Sequence, residues 1–139
     1  PVFPIAKTYA QVNFEQLGRT DDTEGPRTKA ATLTGWDRSG VGSVLAAAAK
    51  PLGVRVYKHE KYSEQFFGLS DNEALAKLGV PAHTVSVAYQ FPDYHGLGDE
   101  ADKLDYANMA TVTRALRSGL LALANRRSPL PVRAATAAK

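Results

Sequence analysis

Met109, Val112, Leu116, Leu120 and Leu123 recur at helical spacing between about Tyr106 and Asn125, which marks an amphipathic helix with one apolar stripe. Such a stripe needs a second layer to cover it. The stretch Thr8 to Leu17 carries Tyr9, Val12 and Phe14 and ends at Gly18, so it reads as a strand. Val54 to Tyr57 forms a second strand, and His83 to Tyr89 a third that is apolar enough to be buried on both faces. Between them, Asp37 can cap a helix carrying Val41, Val44, Leu45 and Ala48 that stops near Lys50 and Pro51. Asp71 can cap a shorter helix through Leu75 and Leu78, terminated at Gly79. Strands alternating with amphipathic helices predict an α/β domain, a layered sheet flanked by helices. Residues 18–36, rich in Gly, Thr, Asp and Pro, fit a long irregular connection, and residues 59–71 a polar and aromatic loop. Residues 127–139, with Pro129, Pro131 and a run of alanines, fit a flexible tail behind a domain spanning 1–126. Three short strands make a narrow sheet, so an exposed edge is expected, open to pairing with another chain or with a missing part of its own.

The 139 residues exclude two full domains. With 44% hydrophobic and 22% charged residues, the chain can bury a core and is not disordered. No apolar run is long enough for a membrane span, and Pro1-Val2-Phe3-Pro4 lacks the layout of a signal peptide. The absence of a starting Met suggests that sequence upstream was cut or left out. Seventeen basic residues against 14 acidic ones give a net charge of +3, but the two signs are interleaved, as in Lys58, Glu60 and Lys61. A nucleic-acid surface would cluster them on one face, so neither nucleic acid nor membrane is expected as a partner. Zero cysteines exclude disulfides, thiolate zinc sites and cysteine nucleophiles. A metal here must use His, Asp or Glu.

Three histidines are available. His59 lies in the charged run Lys58-His59-Glu60-Lys61, which reads as a solvated loop, and His83 opens an apolar strand, where a hydrogen-bonded core histidine is the ordinary outcome. His95 follows a strand, within Pro92-Asp93-Tyr94-His95-Gly96, and ligands of α/β sheets bind beyond strand ends. Glu15 is a carboxylate inside an otherwise apolar strand, either on an exposed face or desolvated and met by something charged. A Glu and a His brought together from two strand ends would make half of a zinc site.

Asn13-Phe14-Glu15-Gln16-Leu17-Gly18-Arg19 resembles a strand motif of the zinc-dependent aminopeptidases of metallopeptidase family twenty-eight: Asn, apolar, Asp, Met, apolar, Gly, then Arg or Ser. Ser70-Asp71-Asn72 followed by Gly79-Val80-Pro81-Ala82 is similar to the family's Ser-Asp-His segment leading into a Gly-Ile-Pro-Ala strand start. Pro92-Asp93-Tyr94-His95, then Asp99, Asp102-Lys103-Leu104-Asp105-Tyr106 and Asn108-Met109, resembles its closing Tyr-His-Thr loop and the continuation of that loop. The blocks keep their order from about Pro4 to Ala124. Four positions depart from the pattern: Glu15 stands for the commoner Asp, Gln16 for Met, and Gly96-Leu97 for a frequent Thr-Pro.

The resemblance implies the C-terminal half of a zinc-exopeptidase (phosphorylase/hydrolase-like) fold, hydrolysing N-terminal peptide bonds of a peptide substrate. It implies that Glu15 and His95 ligate one zinc and that Tyr94 is a catalytic hydrogen-bond donor to the oxyanion, with two zinc ions in the complete enzyme. The family's first His ligand, bridging Asp, general-base Glu and neighbouring Glu belong to a preceding half that these residues do not match. The chain alone is therefore expected to be inactive and to bind zinc weakly or not at all. A non-catalytic binding or assembly module and a glutaminyl-cyclase-like zinc acyltransferase are the alternatives on the same scaffold. The family likeness also suggests an extracytoplasmic or secreted location, and the exposed sheet edge a homo-oligomer.

Overall fold

A computed structural model describes residues 4–132. Four strands, β1 (Gln11–Glu15), β2 (Ala30–Leu33), β3 (Arg55–Tyr57) and β4 (Ala82–Ser86), form one sheet in the order β1-β4-β2-β3. β1 runs parallel to β4 and β2 parallel to β3, while β2 and β4 are antiparallel. The mixed α/β architecture, a sheet flanked by helices, is the one the alternating pattern predicts. The helices are α1 (Val41–Ala49), α2 (Tyr62–Gln65), α3 (Asn72–Ala76) and α4 (Tyr106–Ala124).

The two faces of the sheet differ in chemistry. On one, Ala31, Leu33, Val56 and Val85 meet Val41 and Leu45 of α1 and Val112, Leu116 and Leu123 of α4, which together form the apolar core. On the other, the pairs Asn13 with Thr84 and Glu15 with Ser86 lie in register, and Thr32 faces Ser86. Successive side chains of a strand alternate between faces, so the apolar core and this polar stripe are consequences of the same β4 sequence, Ala82-His83-Thr84-Val85-Ser86.

Several expectations are corrected. The segment 18–36 is not irregular throughout, because it contains β2, a fully buried central strand. Ala30-Ala31-Thr32-Leu33 is weak in β-propensity, but a site between two strands and under helices selects small residues that fit rather than strong strand formers. Asp37 does not cap α1: it lies in a short 3-10 turn, Trp36–Arg38, and pairs with Lys58 at 2.7 Å. The Ser39 hydroxyl instead accepts the Val41 N–H at 3.2 Å. Asp71 occupies the N-cap position of α3 without a side-chain cap bond, and α3 stops at Ala76 rather than reaching Leu78. The loop 59–71 holds the short helix α2. The ladder of β4 ends at Ser86, not Tyr89, because the Tyr89 N–H donates to the buried Asp22 Oδ2 at 2.8 Å instead of to a strand. Part of the expected tail 127–139 is tied down. Leu130 is buried in the core cluster, and the Pro131 carbonyl accepts the Gly40 N–H at 2.9 Å. The rest of that tail, from residue 133, lies outside the described residues.

Candidate active site

The polar stripe ends at Glu15, the last residue of β1. Its half-buried carboxylate is held from two sides, because Asn13 Nδ2 donates to Oε1 at 2.7 Å and the Ser70 hydroxyl donates to the same oxygen in a very short bond. Asn13 is brought there by strand alternation, two residues before Glu15. Ser70 comes from the loop ahead of α3, and behind it lies a further layer of polar groups. The Thr84 hydroxyl sits 2.9 Å from Ser70 Oγ and 2.8 Å from Asn72 Oδ1, so its one proton serves one of them at a time. Asn72 has no exposed surface and donates to the Phe67 carbonyl at 2.9 Å. Two donors, from β1 and from the loop ahead of α3, therefore converge on one carboxylate oxygen, with Thr84 and Asn72 behind them, and bonds to an ionised oxygen are the stronger kind.

Glu15 lines a cavity of about 70 Å³ together with Ser70, Phe66, Leu69, Tyr89 and Tyr94. Tyr94 reaches it from a tight turn after β4, closed by its N–H to the Phe91 carbonyl at 3.0 Å. Phe66 stacks on Tyr89 at 5.1 Å between ring centres, which gives the cavity an aromatic wall. Burial pushes the Tyr89 phenol up to about 12, so it stays protonated at neutral pH. His95 does not line the cavity. Its ring lies exposed and flat against Tyr94, 4.0 Å between centres, on a backbone with φ of 58°.

The remaining histidines have other roles. His83 is a saturated core residue, as expected: Nδ1–H donates to the Thr34 carbonyl at 2.8 Å and Nε2 accepts from the Ser39 hydroxyl at 2.6 Å. His59 is not in a solvated loop. It is 9% exposed and stacked on Tyr62 at 4.6 Å. Its Nδ1 accepts the Tyr62 N–H at 3.0 Å, leaving Nε2–H to donate to Glu24 at 2.8 Å. A larger groove of about 410 Å³ opens at the other end of β4, around Arg38, Phe67 and His83. Its one imidazole has both nitrogens engaged, Arg38 pairs with Glu64, and Lys77 pairs with Glu73.

Among the described residues, no group of three or more His, Cys, Asp or Glu is placed to hold a metal ion. Glu15 and His95 offer a carboxylate oxygen and an imidazole nitrogen, donors that suit zinc but fall short of the usual three protein ligands. By chemistry they fit part of such a site. No site role was assigned from the sequence to Asn13, Ser70, Asn72 or Thr84: the first three stood within the family blocks, and Thr84 carried no signal.

Peptidase family M28 matches residues 2–119 of the chain. No curated protein matches it. Among solved structures, the LapA aminopeptidase of Legionella pneumophila is similar at 21% identity and a TM-score of 0.63, over 86% of this chain and 32% of its own. An aminopeptidase from Aneurinibacillus sp. strain AM-1 is similar at 22% identity and a TM-score of 0.63, over 94% of this chain and 29% of its own. The fold is thus shared with aminopeptidases, and the chain spans about a third of the length of each.

Proposed function

The chain belongs to peptidase family M28, and on that premise we propose that it forms part of a zinc-dependent aminopeptidase that removes N-terminal residues from peptides. The observation that carries this reading is the Glu15 carboxylate, fixed by Asn13 and Ser70 at a strand end and sharing a cavity with Tyr94. Glu15 and His95 would hold the metal, with the remaining ligands, a second zinc and the general base supplied by residues outside this chain. Zinc, when bound, polarises the scissile carbonyl and acidifies a water. The chain's own residues orient and stabilise. With both bonds from Asn13 and Ser70 falling on Oε1, the other carboxylate oxygen is left for the cation. The Tyr94 Oη–H donates to the negative oxygen that develops on the substrate carbonyl. Phe66, Leu69 and Tyr89 exclude water from one side of the cavity, which strengthens both interactions.

A second reading, a non-catalytic binding or assembly module, is favoured by the position of His95 outside the cavity. One experiment separates the two. In the complete enzyme, Glu15→Ala and His95→Ala should each lower bound zinc, measured by atomic emission, and cut amino-acyl-p-nitroanilide hydrolysis at least about a hundredfold. Full metal content and full activity in both variants would overturn the peptidase role of these residues. The isolated chain should show negligible hydrolysis, and a strong rate from it would place the base within these residues.

A further inference from the structure

We propose that Arg19 is the positioning residue for the Tyr94–His95 turn, its buried guanidinium tying the end of the Glu15 strand to groups on both sides of that turn. Arg19 is 2% exposed. Nε and Nη2 fork onto Asp21 at 2.9 and 2.6 Å, Nη1 donates to Asp99 at 2.7 Å, and Nη2 reaches Asp93 at 3.3 Å. Its cation also lies 4.1 Å from the centre of the Phe91 ring. The local pair with Asp21 would satisfy the charge of Arg19. The ties to Phe91, Asp93 and Asp99 do something more, because Tyr94 and His95 lie between them.

The turn needs such a constraint. A φ of 58° at His95 is a left-handed conformation that a residue with a side chain rarely holds unaided. The turn's own backbone bonds are short-range, the Tyr94 N–H to Phe91 at 3.0 Å and the Gly96 N–H to Asp93 at 2.7 Å. Both acceptors belong to residues that Arg19 contacts. Lys103 holds Asp93 from the other side at 2.7 Å, and a Cβ at Gly98 would come within 2.6 Å of the Asp93 carboxylate. Arg is required rather than Lys, since only a planar fork serves Asp21 and Asp99 together.

The assignment rests on the peptidase reading only for its consequence, that Arg19 fixes His95 and Tyr94 relative to Glu15. Its test does not. In Arg19→Met, amide exchange at Tyr94 and Gly96 should accelerate at least about tenfold while Thr84 and Ser86 in β4 keep their protection. The His95 ring protons, shielded by the stacked Tyr94 ring, should move towards free values. Arg19→Lys should recover protection in part. In the complete enzyme, Arg19→Met should lower kcat at least about tenfold with KM little changed. Unchanged exchange and ring shifts in folded Arg19→Met would overturn the proposal. If that variant does not fold, Asp99→Ala, at an exposed position, takes its place: faster exchange at Gly96 supports the clamp and unchanged exchange overturns it. Failure of the peptidase reading looks different, with Glu15→Ala and His95→Ala both fully active and keeping their metal while Arg19→Met still loosens the turn.

Discussion

Burial sets the state of His83 in β4. Removal from water lowers its pKa below the ordinary value of 6.5, and its two bonds, to the Thr34 carbonyl and from the Ser39 hydroxyl, suit the neutral ring. The folded state therefore binds this proton less readily than the unfolded chain. Its contribution to stability is complete above pH of about 6.5 and is lost as pH falls below that value. A thermal melting series from neutral to mildly acidic pH should show Tm falling, and His83→Gln should flatten that part of the slope. Residue identity alone separates the three histidines poorly. His59 and His83 both end up buried, although one stands in a charged run and the other opens an apolar strand. The difference lies in neighbours from remote segments, Glu24 and Tyr62 for His59, Thr34 and Ser39 for His83. Glu15 was conspicuous as a carboxylate in an apolar strand. Its holder Ser70 stood in a family block with nothing local to join it to Glu15, and the Thr84 hydroxyl behind Ser70 is an ordinary strand side chain until the fold stacks the two.

At the scale of elements, the spacing of α1 and α4 depends on Gly119. A Cβ built there would lie 3.2 Å from the Leu45 backbone and closer still to its side chain. Helix propensity favours alanine at this position, yet the backbone of α1 cannot yield as a flexible side chain would. Gly119→Ala should therefore destabilise the protein by about 1–3 kcal/mol, read from chemical denaturation. The opposite sign would mean that the helices separate without cost. The periodicity of α4 was plain in the sequence, since one uninterrupted amphipathic stripe over 19 residues has no competing reading. β2 was hidden for the converse reason. Three small residues and one leucine between turn-rich segments carry almost no local signal, and their strand state comes from pairing with β3 and β4.

For the whole molecule, the consequential feature is the outer edge of β1. Among the described residues β1 pairs with β4 alone, and near that edge Tyr9 and Phe14 are each 38% exposed beside the half-buried Ala10 and Val12. Unpaired strand edges flanked by apolar side chains recruit other strands. The isolated chain should sediment as a dimer or larger species at micromolar concentration, and a clean monomer would show that the edge is protected. The layered α/β class, the helix stripe and the family blocks around Glu15, Ser70 and His95 could be read from the linear order of residues, because periodicity and motif spacing are local properties of the chain. The buried β2, the polar network behind Glu15, the exposed seat of His95 against Tyr94 and the reach of Arg19 across 80 residues to Asp99 could not. Each depends on which distant groups share a small volume, and that is decided only when the sheet assembles and its two faces divide apolar from polar.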